Sequence, residues 1–344
     1  MVRAILTWLL PFFFADVAWA FPETLRHGYP SCVSCHVAAG GGGVLTQYGR
    51  ETGMTALSTW GRSRPVMPEW INAGVDYRRA NVNLETDGVR YHRKFDMQLE
   101  GELALEPVKG LVVAGTVGLY GEEHRQEFRR AYGELRPMDE LRVRAGRFLP
   151  AYGLNIDDHT DLARAATGLT QGRERIAVEA WTLLPYGELA ISRTFGEDVE
   201  ADATLSDGYT VKEEPREEVY ARAVGYLYDR YRFGGSVRWR ESQLSAVAGH
   251  VELAPLEWAW LQTEIGSAAL ADGTLYSSSK IGVEPYRGNH LFLTYEHQGD
   301  TQKYGGGYRW FPVYGVDLLV RAAATRAPSA SLTKELTAIL HLHL

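Results

Sequence analysis

Cysteine is nearly absent from the sequence, since Cys32 and Cys35 are the only two among 344 residues. This excludes a disulfide scaffold, which needs several bridges. After Ala20 the chain also lacks any uninterrupted apolar run of the ~18 residues that a membrane-spanning helix requires. Basic residues do not outnumber acidic ones (36 against 43). That balance argues against a nucleic-acid partner, because such a partner requires a basic face.

Residues 1–20 have the pattern of a secretory signal peptide. Arg3 gives the positive start, residues 4–14 are apolar, and Ala18-Trp19-Ala20 has the small-x-small pattern of a cleavage site. The alternative, a membrane-anchoring helix, is disfavoured because Pro11 interrupts the apolar run. An exported chain without a spanning helix is either soluble or crosses a membrane as a closed β-barrel.

The segment Cys32-Val33-Ser34-Cys35-His36 has the attachment pattern of a c-type haem. The pattern predicts that Cys32 and Cys35 bind the porphyrin through thioethers and that His36 is the proximal iron ligand. A thioredoxin-like dithiol would belong with a βαβ pattern, which the sequence lacks. Half of a zinc site is a further alternative, but no second Cys/His pair lies close in sequence to complete it. We therefore expect one covalent haem c.

The sixth iron ligand stays open at this level. His27 precedes the motif, and Met54 and Met67 follow it at positions where soluble cytochromes often have an axial Met. Three further histidines lie on the polar faces of predicted strands: His250, His341 and His343. An iron with an open sixth position is the remaining alternative.

Residues 21–67 form a short, irregular head. Four glycines, Gly40 to Gly43, follow the haem motif, and one helix fits near residues 45–57. About 45 residues are too few for an independent core. We therefore expect the head to pack against the rest of the chain.

From Glu69 onward the sequence alternates with period two. The clearest segments are 95–106, 231–240 and 336–344, each with one apolar and one polar face. They run ~10–12 residues, as a tilted membrane-spanning strand requires, whereas globular strands average ~5–6. The pattern favours a transmembrane barrel with a polar lumen over a soluble sandwich or propeller.

The turns give the strand count. Seven short turns, six of them with proline, fall at 106–110, 136–139, 184–187, 228–231, 254–256, 284–288 and 311–315. Eight other connections fall at 81–90, 121–126, 150–172, 196–216, 241–243, 269–273, 299–301 and 326–331. Together they predict an all-β fold, an antiparallel barrel of about sixteen strands over residues 68–344, with the short turns periplasmic.

Two sets of polar residues are assigned to the lumen. Loop 150–172 is expected to fold inward as a constriction, and it carries Asn155, Asp157, Asp158, His159 and Asp161. This cluster is either a site for an ion such as Fe(II) or a solvated, salt-bridged surface. A second set is expected to be structural: Glu100, Glu102, Arg222, Arg238 and Arg240.

The layout resembles the fused monohaem cytochrome–porins of bacterial outer membranes. The resemblance covers the signal peptide, the single haem motif, the glycine run and the barrel, and residue by residue it rests on Cys32, Cys35 and His36. It implies a haem-bearing plug in a porin-like barrel that takes part in extracellular electron transfer, including Fe(II) oxidation. The implied partners are a periplasmic c-type cytochrome, an extracellular donor or acceptor, and outer-membrane lipid.

The sequence therefore predicts three units: a signal peptide (1–20), a monohaem head (21–67) and an outer-membrane barrel (68–344). The expected function is electron transfer by a haem in or at the mouth of the barrel, without conventional catalytic residues. One alternative is a passive porin in which the head is a plug or sensor. Another is a small haem enzyme with an open sixth position.

Overall fold

The computed structural model describes residues 25–61, 67–154, 160–196, 203–204, 210–211, 217–269, 273–328 and 330–343. The predicted signal peptide lies outside them, as do residues 155–159 and most of loop 196–216. Sixteen strands of the described chain form one closed antiparallel barrel. The predicted fold class and strand count are thus confirmed.

The strands follow one another around the barrel in chain order. They are β1 (Ile71–Thr86), β2 (Val89–Val108), β3 (Leu111–Tyr120), β4 (Arg125–Met138), β5 (Leu141–Phe148), β6 (Arg175–Leu184), β7 (Gly187–Thr194), β10 (Glu218–Leu227), β11 (Tyr231–Arg240), β12 (Gln243–Leu256), β13 (Ala259–Ala269), β14 (Thr274–Tyr286), β15 (Asn289–Gln298), β16 (Thr301–Trp310), β17 (Val316–Arg326) and β18 (Thr333–His343). Between β7 and β10, β8 (Ala203–Thr204) and β9 (Thr210–Val211) form a separate two-stranded ladder. The seam between β1 and β18 closes the barrel and runs from Asp76 opposite His343 to Glu85 opposite Lys334.

The two faces of the strands differ as the period-two pattern predicts. On β2, Leu99 and Leu103 are exposed outside, whereas Glu100 is buried in the lumen. The lumen charges are neutralised in pairs, for example Arg222 Nη1 to Glu188 Oε1 at 2.7 Å. Their predicted structural role is consistent with this pairing.

Aromatic side chains surround the outside of the barrel at the short-turn end. Each is more than half exposed: Trp70, Tyr186, Tyr228, Trp258 and Tyr286. A girdle of Tyr and Trp around an apolar band is typical of a barrel surface that meets the membrane interface.

All seven short turns lie at one end of the barrel, but only Pro185 and Pro312 of the six prolines lie within the connections themselves. The pairing register shifts by one residue at the end of β2, β4, β12 and β14. Each shift contains one proline: Pro107, Pro137, Pro255 or Pro285. Proline cannot donate a ladder hydrogen bond, and a bulge is where that bond is not needed.

The predicted connection 81–90 is correct in its place but too long. β1 and β2 continue as a paired ladder to a two-residue turn, Asp87-Gly88, with φ of +55° and +76°. An Asp-Gly pair with positive φ at both residues is a favoured hairpin turn. The strands keep their period-two alternation up to this turn, with Val82 paired to Arg93 and Leu84 to Tyr91 on one face and Asn83 paired to His92 on the other.

The N-terminal segment, residues 25–61, lies inside the barrel toward the short-turn end. Val37 and Val44 pack with Ala104 and Val112 of the wall, and Leu25 packs with Trp260. This is the packing that the small size of the head predicts. Its helix α1 (Gln47–Thr52) continues as a π-helical turn (Gly53–Leu57), close to the predicted range 45–57.

A second insertion enters the lumen from the other end. It contains helix α2 (Leu162–Thr167), and its Ala163 and Leu169 pack with Tyr220 and Tyr276 of the wall. The described part of loop 150–172 thus folds inward, as expected. None of the described helices is long and apolar enough to cross a membrane.

Candidate functional site

The Cys-x-x-Cys-His motif forms a tight turn anchored to the barrel wall. Cys32–Ser34 is one 3₁₀ turn, and the carbonyl of Cys32 accepts hydrogen bonds from the N–H groups of Cys35 (3.2 Å) and His36 (3.0 Å). Just before the turn, Ser31 Oγ donates to Glu188 Oε2 of β7 at 3.2 Å. The motif is therefore held in a fixed place in the lumen.

Helix α1 lies directly against this turn. Thr46 caps the helix, since its Oγ1 accepts from the N–H of Gly49 at 3.0 Å, while its own N–H donates to the carbonyl of Cys35 at 2.8 Å. A Cβ on Gly49 would collide with that same Cys35 carbonyl. Gly49 therefore lets the helix approach the motif as closely as it does.

The four-glycine run forms the loop between the motif and α1. Gly42 and Gly43 have φ of +72° and +66°, and a Cβ on either would meet the guanidinium of Arg130. Glycine is therefore required here for two reasons: the backbone is left-handed, and the loop approaches the wall too closely for a side chain.

Two arginines fix the far side of the motif. Arg136 Nη2 and Arg142 Nη1 both donate to the carbonyl of Val37, at 3.0 and 3.1 Å. Arg136 Nε also pairs with the fully buried Glu134 at 2.7 Å. These contacts join the residue after His36 to β4 and β5.

A cavity lies beside the motif, between α1 and the barrel seam. Its volume is about 210 Å³, below the ~300–1,000 Å³ of typical small-molecule and cofactor pockets. The lining side chains that bear on its chemistry are Cys35, His36, Leu45, Leu57, Phe311, Tyr314, His341 and His343.

Charged residues of both signs complete the lining. Arg78, Arg130 and Arg309 face the cavity, and each has a carboxylate partner: Asp76 at 3.3 Å, Glu102 at 3.6 Å and Asp317 at 2.9 Å from the arginine nitrogens. Apolar walls, imidazoles and arginines together fit a porphyrin, whose ring is apolar, whose iron takes imidazole and whose propionates pair with guanidinium. Of the three residues that the sequence predicts to bind haem, Cys35 and His36 line this space, whereas Cys32 is buried toward Arg232 and Glu188 and is absent from its described lining.

The cysteine thiols do not have the environment of reactive thiolates. They are not joined in a disulfide, and burial raises the pKa of Cys32 to about 11 and that of Cys35 to about 12. Reactive cysteines have lowered pKa values. The surroundings of Cys32 and Cys35 therefore do not activate either thiol as a thiolate.

The candidate sixth ligands differ in whether they line the cavity. His27 lies near Arg26 and Arg230 at the β10–β11 turn, where burial and both cations lower its pKa to about 4. It is absent from the described lining of the cavity, as are Met54, Met67 and His250. Gly53 and Leu57 of the π-helical turn do line the cavity, so Met54 stands on a neighbouring face of that turn.

The predicted cluster in loop 150–172 is described only in part, because Asn155, Asp157, Asp158 and His159 lie outside the described residues. Asp161 caps α2, accepting from the N–H of Ala163 at 2.8 Å, and also accepts from Ser278 Oγ at 2.6 Å. Within the described ranges, no group of three or more His, Cys, Asp or Glu side chains is placed to hold a metal ion.

Sequence reasoning did not find Asp76, Tyr314 or the two helix glycines as parts of the site. The spacing of Gly49 and Gly53, four residues apart on one helix face, is a pattern that indicates close packing. Asp76 and Tyr314 had no such pattern. They reach the cavity only because the barrel closes between β1 and β18.

Comparison with known proteins identifies the fold. No protein-family model matches the chain, and no curated protein matches it either. Among solved structures, OprB of Pseudomonas putida has a TM-score of 0.62 at 7% identity, covering 85% of this chain and all of that one (100%). OmpF of Salmonella typhi has a TM-score of 0.61 at 8% identity, covering 81% of this chain and 99% of that one.

An anion-selective porin from Comamonas acidovorans is also similar, with a TM-score of 0.59 at 10% identity, covering 80% of this chain and 100% of that one. The fold is therefore that of the bacterial outer-membrane porins. At these identities the likeness extends to the fold and no further.

Proposed function

We infer that the protein is an outer-membrane barrel that holds one covalent haem c in its lumen and transfers electrons across the membrane. The observation that carries this proposal is the cavity beside Cys35 and His36, which is lined by two further imidazoles and enclosed by a porin-like wall. A bound haem would supply one-electron redox chemistry that ordinary side chains lack.

The residues of this chain would do three things for that chemistry. Cys32 and Cys35 would form the thioethers, and His36 would be the proximal ligand. The arginine-anchored turn would hold this group inside the barrel. A redox centre on one face of a hydrocarbon layer ~30 Å thick is too distant from the other face, whereas one inside the lumen shortens both electron steps.

The external surface supports an outer-membrane location for this function. The girdle of Trp and Tyr side chains at the short-turn end, with exposed leucines above it, suits a membrane interface. In this orientation one electron leaves an extracellular donor such as Fe(II), which is oxidised to Fe(III), and reduces a periplasmic c-type cytochrome.

A passive porin is the second candidate, and the likeness to porins favours it. Both ends of the lumen hold packed insertions, α1 with its flanking segment and the α2 loop. These insertions narrow the passage for solutes. Electron transfer therefore explains the packed lumen better than solute diffusion does.

The test is transfer across proteoliposomes. The protein is expressed in a host that attaches c-type haem and is reconstituted into liposomes. Fe(II) is added outside the liposomes, and a soluble ferricytochrome c is enclosed inside them. We expect reduction of the internal cytochrome, followed by its absorbance, together with a covalent haem band on a denaturing gel.

The control is Cys32→Ser combined with Cys35→Ser, which retains the barrel but removes both thioether positions. It should show no covalent haem and no internal reduction. Solute flux in liposome swelling that is equal in both proteins, without any electron transfer in the wild type, would favour the passive porin instead.

A further inference from the structure

We propose that His343, on the last barrel strand, is the second axial ligand of the haem iron. This inference rests on the proposed haem function and specifies its iron site. It links the N-terminal motif to the strand that closes the barrel.

The strand pairing places His343 in the cavity. On β18, Leu340 and Leu342 are paired with Leu318 and Val316 of β17, and Leu342 is exposed on the outer face. Because side chains alternate along a strand, His341 and His343 both point into the lumen. Both line the same cavity as His36.

The surroundings of the two rings differ. His341 Nε2 lies 2.9 Å from Asp76 Oδ2, and its Nδ1 lies 3.4 Å from Asp317 Oδ2. Both of its nitrogens are thus engaged by carboxylates. His343 has a buried Nδ1 with no hydrogen-bond partner among the described residues, and such a nitrogen is costly unless another group supplies the partner.

Neighbouring rings hold His343 in place. Tyr314 meets it edge-on with ring centroids 5.8 Å apart, and the His341 ring lies 4.9 Å away. Tyr314 in turn packs on Gly53, where a Cβ would lie 3.1 Å from the ring. The imidazole is therefore oriented by its neighbours before any ligand binds, as a metal ligand should be.

The other candidates lack one of these features. His250 is buried against Gly234 of β11, and His27 lies at the β10–β11 turn near Arg230. Neither is part of the described cavity lining. His343 is the one candidate that combines access to the cavity with an unengaged nitrogen.

The test is absorption and electron-paramagnetic-resonance spectroscopy of the full-length, haem-loaded protein. Two imidazole ligands give a six-coordinate, low-spin ferric iron. We expect His343→Ala to become high-spin and to return to low-spin when imidazole is added. We expect His343→Met to stay low-spin with a raised reduction potential, because a Met ligand raises the potential relative to His.

His250→Ala is the matched control, since it removes another buried barrel histidine, and it should leave the spectrum unchanged. Heat-modifiable migration on a denaturing gel shows that each variant forms a barrel. A low-spin spectrum in His343→Ala without imidazole, or a high-spin wild type, overturns the ligand assignment alone. Absence of covalent haem from the wild type overturns the proposed function, and the ligand assignment with it.

Discussion

The two insertions in the lumen are both anchored by wall side chains and packed on wall residues, but they differ in the space that they leave. Around α2, wall side chains reach the backbone: Leu162 N–H donates to Glu296 at 3.0 Å, and Lys303 donates to the carbonyl of Thr160 at 2.8 Å. Its apolar residues fill the space against wall tyrosines. The N-terminal segment is fixed at its edges by arginines, and a cavity remains beside its helix.

The difference indicates two purposes. The α2 insertion fills its part of the lumen against wall tyrosines, whereas the N-terminal segment also packs on the wall but leaves a cavity beside the Cys-x-x-Cys-His motif. Four changes test that contrast, in order of expected effect.

The largest effect should come from removing the α2 insertion. Replacing residues 160–170 by a short Gly-Ser linker takes away the packing of Ala163 and Leu169 against the wall but keeps Gln171, which lines the cavity. We expect single-channel conductance in planar bilayers to rise several-fold, while haem content and the haem spectrum stay as in the wild type. A loss of haem together with the rise in conductance would show that the two insertions are not independent.

The second change removes both arginines from the edge of the N-terminal segment. In Arg136→Ala with Arg142→Ala, the carboxylate of Glu134, which is 0% exposed, loses both of its ion pairs. Leaving a buried charge unpaired costs ~3–5 kcal/mol. We expect a loss of that order in the free energy of unfolding, measured by urea denaturation in detergent micelles.

Arg193→Ala provides the comparison for that variant. The Arg193–Glu217 pair is more than half exposed on both sides, and such pairs contribute ~0–1 kcal/mol. Equal losses in the two variants would contradict the edge anchoring of the N-terminal segment.

The third change tests the contact between α1 and the haem motif. Gly49→Ala would push the helix off the carbonyl of Cys35, and overpacking of this kind costs ~1–3 kcal/mol. We expect a lower yield of haem-loaded protein and faster proteolysis of the N-terminal segment. Gly133→Ala is the matched control, because a Cβ there would meet nothing within 4 Å.

The smallest effect is expected at the cap of α2. Asp161→Ala removes the acceptor for the N–H groups of Ala163 and Arg164, and loss of such a cap costs ~0.5–2 kcal/mol. Urea denaturation should show this decrease without any change in the haem spectrum. A changed spectrum would mean that loss of the cap is transmitted to the cavity, which Gln171 of this loop lines.

The sequence was sufficient to predict the barrel because the pattern of a barrel, alternating strands joined by turns, is local in the chain. Alternation along Phe95 to Glu106 reports which face is buried, and the seven short turns report where strands reverse, so the strand count could be obtained without any long-range contact. Pro107 lies in a bulge rather than in a turn. The sequence shows only that proline lacks a backbone N–H donor, and both a bulge and a turn tolerate that lack. At Asn81 to Arg90 the alternation continues, with Val82 and Leu84 opposite Asn81 and Asn83, so the loop predicted here rests only on the many polar residues of one face.

The site was harder to obtain from the sequence because it is built across the seam. The motif identifies Cys32, Cys35 and His36 as candidate haem residues by spacing alone, and the binding itself stays a prediction. Period two places His341 and His343 inward. Which inward histidine lies beside the motif depends on how β18 registers with β1, and no local pattern contains that register.

The barrel seam also bears on the order of assembly. The N-terminal segment is enclosed by a wall whose first and last strands meet beside the cavity, at Asp76 and His343. A segment packed on the wall through Val37, Val44 and Leu25 leaves the finished barrel only if that packing is broken. Under the proposed haem function we therefore expect attachment to the two cysteines to precede closure, so that in a pulse-labelling experiment haem-bearing chains appear before heat-modifiable barrels do.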